Sequence, residues 1–358
     1  MNIVQKNKNT LLKNRVVPGI LMLIALAALL ALHRFSFYHS INYGKEVVNA
    51  LYVISSITIA LIGFWVWYEL SYTFLQNKKA AIIQAIIMTL AIPYWRSLYT
   101  AVNFEDRGET NPWIHVYFTA KMVIQDMAFD WWTGVFLILP ILSFPIIRLI
   151  LLLKEKNQIL YKNFFINYLL YFITYLIILA MFKTYAALNA MRDGLYFIIL
   201  CFSIAVAHDI GGFFGGMTFG HKLFKRKLAP AISPKKTIEG AIVGISAGIL
   251  VIILFSVIYY YGFKANDQEN LHINTDFISG IVHSLKIPGY YSRIIGITNF
   301  TILAPFFALT GDLYFSYLKR RMGIKDFSNI LKGHGGILDR LDSIAFVFTL
   351  FFILSTVI

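Results

Sequence analysis

The recurrence of long apolar runs constrains this chain more than any other feature. Nine stretches are apolar over a helical span's length, or nearly so. They lie at about 17–33, 50–73, 80–101, 131–153, 164–185, 194–216, 238–262, 294–318 and 342–358. A bilayer's hydrocarbon core is roughly 30 Å thick, and a helix rising about 1.5 Å per residue crosses it in about 20 residues. The 358 residues are 58% hydrophobic and 14% charged, whereas a soluble domain carries roughly 45–50% and 25%. An ordinary soluble domain and a disordered chain are both excluded. The expected fold is an all-α integral membrane protein, a polytopic bundle of about nine transmembrane helices. The single cysteine, Cys201, excludes an internal disulfide and a Cys-based zinc site.

Charge sets the expected orientation. The net charge is +14, which in a soluble chain would suggest nucleic acid. Here it follows the spans. With the N-terminus in the cytoplasm and the spans alternating, segments 1–16, 74–80, 148–163, 217–237 and 319–340 hold 22 of the 32 Lys and Arg residues. Lys and Arg accumulate on the cytoplasmic side of membrane proteins, so the chain is expected N-in and C-out, with no nucleic-acid partner. The first apolar run leads into His33 and Arg34 without a small-residue cleavage site, so it reads as an uncleaved first span. The mixed stretch 112–130 reads as an interfacial or re-entrant segment.

No internal repeat or low-complexity linker divides the chain, which reads as one integral membrane domain. Residues 1–190 are N-terminal transmembrane helices of unassigned role. Residues 191–358 hold nearly all the unusual polar groups, in two cytoplasmic loops at 208–240 and 312–343. Asp312 falls seven residues before Lys319-Arg320-Arg321, roughly 10 Å inside the helix end, and an aspartate at that depth is costly unless it has a function. Asp339 and Asp342 follow Gly335-Gly336 and share one face of a helix start. Three carboxylates form a hard-oxygen set suited to Mg²⁺. Capping by the two aspartates is the plainer alternative. The basic run Lys319, Arg320, Lys325 supplies positive charge for an anionic substrate or for lipid headgroups.

The upstream loop starts at His208-Asp209, passes Gly211, Gly212, Gly215, Gly216 and Gly220, and ends at Ser233-Pro234-Lys235-Lys236-Thr237-Ile238-Glu239-Gly240. That end offers hydroxyls and ammonium groups at a helix N-terminus, where phosphate binds readily, but it lacks P-loop spacing. Glu239 has two readings, a cation ligand or a partner of Lys236. Gly240, Gly244 and Gly248 recur every fourth residue inside an apolar span, a spacing suited to close helix packing. Glu69 reads as an isolated acid paired with a local Arg or Lys. Arg148 is expected to snorkel, and Cys201 to be a small buried hydrophobe.

Residues 316–342 carry a longer pattern. Ser316-Tyr-Leu-Lys319-Arg320 is followed by Lys325-Asp326, His334-Gly335-Gly336 and Asp339-Arg340-Leu341-Asp342. This resembles the C-terminal signature of the phosphatidate cytidylyltransferase family, the CDP-diacylglycerol synthases. Residues 205–240 resemble the family's upstream patterns more loosely. Several positions depart from the pattern. Lys332 and Ile238 replace a small residue or Pro and a Trp, Gly212-Phe213 replaces Ala-Tyr, and Phe315 stands where bacterial members commonly carry Glu. The 263–292 loop and the 102–130 segment look like additions to the family core.

The resemblance implies transfer of a cytidylyl group from CTP to phosphatidic acid, on the cytoplasmic face of the cytoplasmic membrane. In that reading Asp312, Asp339 and Asp342 hold Mg²⁺, with room for a second or a monovalent cation. Lys319, Arg320, Lys325 and Arg340 bind lipid and nucleotide phosphates. Asp209, Ser233, Lys236, Thr237 and Glu239 form the CTP side, with His334, Gly335 and Gly336 also against substrate. Membrane lipids are implied partners, and a homodimer is left open. The rival readings are a CTP-dependent polyprenol or phytol kinase and a secondary transporter of an anionic solute.

Overall fold

The computed structural model describes residues 17–38, 45–90, 131–155, 163–190, 194–264, 289–330 and 335–357. The expected re-entrant stretch 112–130, most of the 263–292 loop, Lys332 and His334 lie outside them. The described residues form α1 (Val17–Tyr38), α2 (Lys45–Leu75), α3 (Lys78–Thr89), α4 (Trp131–Glu155), α5 (Phe164–Ala190), α6 (Gly194–Phe219), β1 (Lys227–Ala229), β2 (Ser233–Thr237), α7 (Ile238–Lys264), α8 (Gly289–Arg321) and α9 (Leu338–Val357). Each expected apolar run overlaps one described helix, and residues 91–101 of the third run lie outside the described residues. By length and composition, Val53–Leu75, Phe164–Asn189, Gly194–Phe219 and Ile238–Ile258 suffice to cross a membrane; Ile24–Ser36 and Ile138–Leu153 are shorter apolar helices. The protein is a helical membrane protein.

The fold is helical as expected, and two details differ. One short antiparallel hairpin, β1 with β2, stands ahead of α7. The loop placed at 208–240 is shorter, because α6 continues to Phe219. Gly211, Gly212, Gly215 and Gly216 stay helical, with α7 packed directly on Gly211 and Gly215.

The chain forms two compact units, interleaved in sequence. One comprises residues 1–102, 130–176 and 319–341; the other comprises 103–129, 177–318 and 342–358. In the first unit, the left-handed Gln76 (φ 53°) turns α2 into α3, and Asn77 caps α3 by accepting the Ala80 amide at 3.1 Å. Polar pairs join α1 to α2, with His33 Nε2 2.8 Å from Thr58 Oγ1 and Ser36 Oγ 2.6 Å from Ser55 Oγ. Pro145 lies inside α4 and has no N–H to offer the carbonyl four residues back. That carbonyl, of Ile141, accepts the Tyr168 hydroxyl at 3.1 Å instead. Arg148 of α4 donates to the Leu75 carbonyl at the end of α2, at 3.4 Å.

In the second unit, α6 and α7 lie against each other through their glycines. A Cβ on Gly211 would fall 2.7 Å from Ala247 Cβ, and one on Gly244 would fall 2.7 Å from the His208 carbonyl oxygen. Gly248 leaves room for the Pro305 ring of α8. Without a hydrophobic drive between helices in lipid, such close backbone approach supplies the packing energy. The opposite side of α7 exposes Leu250, Ile253, Leu254 and Val257, as a lipid-facing surface does. Cys201 is fully buried. Phe315 is fully buried too and packs edge-on to Phe346. An ionised Glu, the residue expected from the family pattern, would have to be desolvated there.

Candidate active site

The signature segment 319–341 belongs to the first unit. Lys319, Arg320 and Arg321 close α8, where the helix dipole favours cations. Gly323 (φ 70°) then ends the helix. Its amide reaches the Arg320 carbonyl at 3.2 Å and the Ile324 amide reaches that of Lys319 at 2.9 Å. This is a Schellman turn, which satisfies carbonyls that a helix end leaves open. Arg321 turns to Asn167 Oδ1 at 2.9 Å. Lys325 and Arg340 are exposed, as is Arg320.

Lys319 points at Asp339, with Nζ 2.8 Å from Oδ1 and 5.4 Å from the Phe327 ring centroid. The other carboxylate oxygen, Oδ2, accepts the amides of Phe327 at 2.8 Å and Gly336 at 2.9 Å. Asp339 is buried, and these three partners are all donors. Gly335 adopts φ 79°, a conformation that a side chain makes costly, and a Cβ there would fall 2.8 Å from Asp339 Oδ2.

A residue that the sequence reading assigned no part lies beside this turn. Glu69 of α2 is 1% exposed. It accepts Ser328 Oγ at 2.6 Å, the Ile337 amide at 3.1 Å, the Leu338 amide at 2.8 Å and the Trp65 indole at 3.2 Å. The expected local pair with Arg or Lys is replaced by backbone amides, because α2 delivers Glu69 to the start of α9. The only sequence signal for it was an acid within an apolar run.

The second unit carries the other candidate residues. Thr237 caps α7, its hydroxyl accepting the Gly240 amide at 3.0 Å. Glu239 does not pair with Lys236. Its Oε1 accepts the amides of Leu223 at 3.0 Å and Phe224 at 2.8 Å, folding residues 220–226 back on the helix start. Lys236 is thereby left to Asp312, with which it forms an ion pair; Ser316 Oγ donates to Asp312 Oδ1 at 3.4 Å. Asp209, half exposed, lies 3.2 Å from His208 Nδ1 and accepts Ser343 Oγ at 3.5 Å. Asp342 Oδ1 accepts the Ser343 amide at 2.8 Å. Ser233 begins β2. In the sequence Ser316 stood only as the first residue of the signature and Ser343 had no assigned role, although each lies within four residues of a candidate aspartate.

Among the described residues, no three His, Cys, Asp or Glu side chains gather as a metal site. The donor chemistry nevertheless fits a cation. Asp312 and Asp339 each hold a lysine ammonium, which answers the charge that a hard divalent ion would answer. Asp339 Oδ2 is committed to two amides, so Oδ1 is the oxygen available to exchange partners.

Apolar helices of this length, with Asp312, Asp339, Lys236 and Lys319 paired near helix ends, define a helical membrane protein. The chain belongs to the cytidylyltransferase family, whose model matches residues 10–358. It is 28% identical over 335 residues to the phosphatidate cytidylyltransferase of Haemophilus influenzae, covering 93% of this chain and 95% of that protein. The phosphatidate cytidylyltransferase of Helicobacter pylori strain J99 is 36% identical over 163 residues, 45% of this chain and 48% of its own length. That of Bacillus subtilis is 35% identical over 168 residues, 47% of this chain and 50% of its own.

Proposed function

We propose that the protein transfers the cytidylyl group of CTP to phosphatidic acid, releasing pyrophosphate and forming CDP-diacylglycerol. The observation that carries this reading is the near full-length match to a relative of that name. A lipid phosphate oxygen attacks the α-phosphorus of CTP. The bond from that phosphorus to the oxygen bridging to the β-phosphate breaks, and its electron pair leaves with pyrophosphate. The attacking phosphate is already ionised, so no strong general base is needed. Both reactants are anions, and the work left to the protein is alignment and charge neutralisation.

Lys325, Arg320 and Arg340 meet phosphates from exposed positions, and Lys319 and Lys236 do so from their aspartates. Asp209 and Ser233 face the nucleotide. Thr237 and Glu239 serve the same side by holding the α7 start in shape, and His334, Gly335 and Gly336 serve it from the signature turn. Asp312, Asp339 and Asp342 would hold Mg²⁺. Bound there, the ion would neutralise charge on the phosphates and on the departing pyrophosphate. We further propose nine crossings, N-in and C-out, in the cytoplasmic membrane, with both loops facing the cytoplasm where CTP is found.

Labelled CTP tests chemistry and sidedness together. In inverted vesicles given phosphatidic acid and Mg²⁺, α-label enters lipid and γ-label leaves as pyrophosphate. Sealed right-side-out vesicles given external CTP make no product. Transfer of γ-label to an added polyprenol would instead identify a lipid kinase, and product from right-side-out vesicles alone would invert the topology.

A further inference from the structure

We infer that Glu69 is a positioning residue for Asp339 in the cytidylyl transfer, an inference that rests on the function proposed above. Three consecutive amides at the start of α9 are divided between two carboxylates. Gly336 N goes to Asp339, while Ile337 N and Leu338 N go to Glu69. The far side of the loop is divided likewise, with Phe327 N on Asp339 and Ser328 Oγ on Glu69. The two acids therefore strap residues 327–328 and residues 336–338 in parallel, and the geometry of one depends on the other.

Packing makes the dependence close. A Cβ on Gly336 would fall 2.6 Å from Glu69 Oε2, so the backbone passes the carboxylate with no space between. A carboxylate offers only acceptors, and all four groups it meets are donors. An amide in its place would present its own N–H₂ to one of them. Charge strengthens these hydrogen bonds roughly twofold over neutral ones. A buried ionised group is expensive to desolvate, and its retention here is explained by the strap it makes. The strap fixes the Asp339 amide partners, and with them the direction of Oδ1 towards Lys319.

The test is Glu69→Gln in the full-length protein in detergent, read by kinetics and by hydrogen exchange. We expect kcat to fall at least tenfold while KM for CTP and phosphatidic acid stays within twofold. Exchange should rise in the peptide covering 335–342 and remain unchanged in α6 and α7. Gly336→Ala, which presses on the same carboxylate from the other side, should reproduce both effects. A Glu69→Gln protein that keeps wild-type kcat overturns the inference. So does a loss of kcat that comes with increased exchange throughout the protein, since Glu69 would then support folding generally. The exchange measurement needs no substrate. Wild-type protein without transferase activity but with a loosened Glu69→Gln turn would refute the proposed function and leave the strap standing.

Discussion

The starts of α7 and α9 solve one physical problem in two ways. A helix N-terminus leaves backbone amides without partners, and both starts are lined with acceptors. At α7 two acceptors come from the start itself. Thr237 takes Gly240 N, and Glu239 takes two amides from 15 and 16 residues upstream. At α9 the acceptors are Asp339 and Glu69, and Glu69 lies 268 residues before the amide of Ile337. The α7 start is a self-contained turn. The α9 start is assembled by a distant helix, so its shape reports whether the surrounding unit has folded. A segment that must orient a reacting group gains precision from being held by rigid elements.

The largest effect that tests this contrast is expected at Asp339. Asp339→Asn keeps the size but replaces one acceptor oxygen with a donor and removes the charge facing Lys319. Transferase activity should fall by about a hundredfold or more, the usual scale for loss of one electrostatic group at a reacting centre. Activity within tenfold of wild type would make Asp339 a helix cap alone. The contrast would then collapse, because both starts would be structural devices.

How much could be read from the sequence follows the same division. The helices were legible because an apolar run of bilayer length has few alternatives in lipid. The α6–α7 contact was legible in the fourfold glycine spacing, and Asp312 and Asp339 as acids needing a cation. Glu69 was not, because nothing near it in the chain names amides so far along it. The β1–β2 hairpin was missed because a three-residue strand leaves no periodic trace. The Glu239 partners were missed because choosing between Lys236 and a backbone amide needs the fold. Phe315 looked like a lost carboxylate and is instead core, as its contact with Phe346 shows.

A middle-sized effect is expected at Glu239. Glu239→Gln weakens the hold on Leu223 and Phe224 without touching the α9 start. Limited proteolysis within 220–230 should become faster, with activity falling no more than about tenfold. A loss as large as that of Asp339→Asn, with the hairpin still resistant, would put Glu239 in the chemistry.

The smallest effect separates two roles for one hydroxyl. Thr237 was expected against the nucleotide, yet it is 7% exposed and occupied by Gly240 N. Removing an N-cap hydroxyl costs about 1 kcal/mol of stability. Thr237→Ala should therefore lower the temperature of half-inactivation slightly and leave KM for CTP within twofold. Thr237→Ser, which keeps the acceptor oxygen, should restore the temperature. If instead KM for CTP rises tenfold at unchanged thermal stability, the hydroxyl meets substrate during turnover. The α7 start would then have to open to bind nucleotide, and it would no longer be the self-contained partner of the comparison.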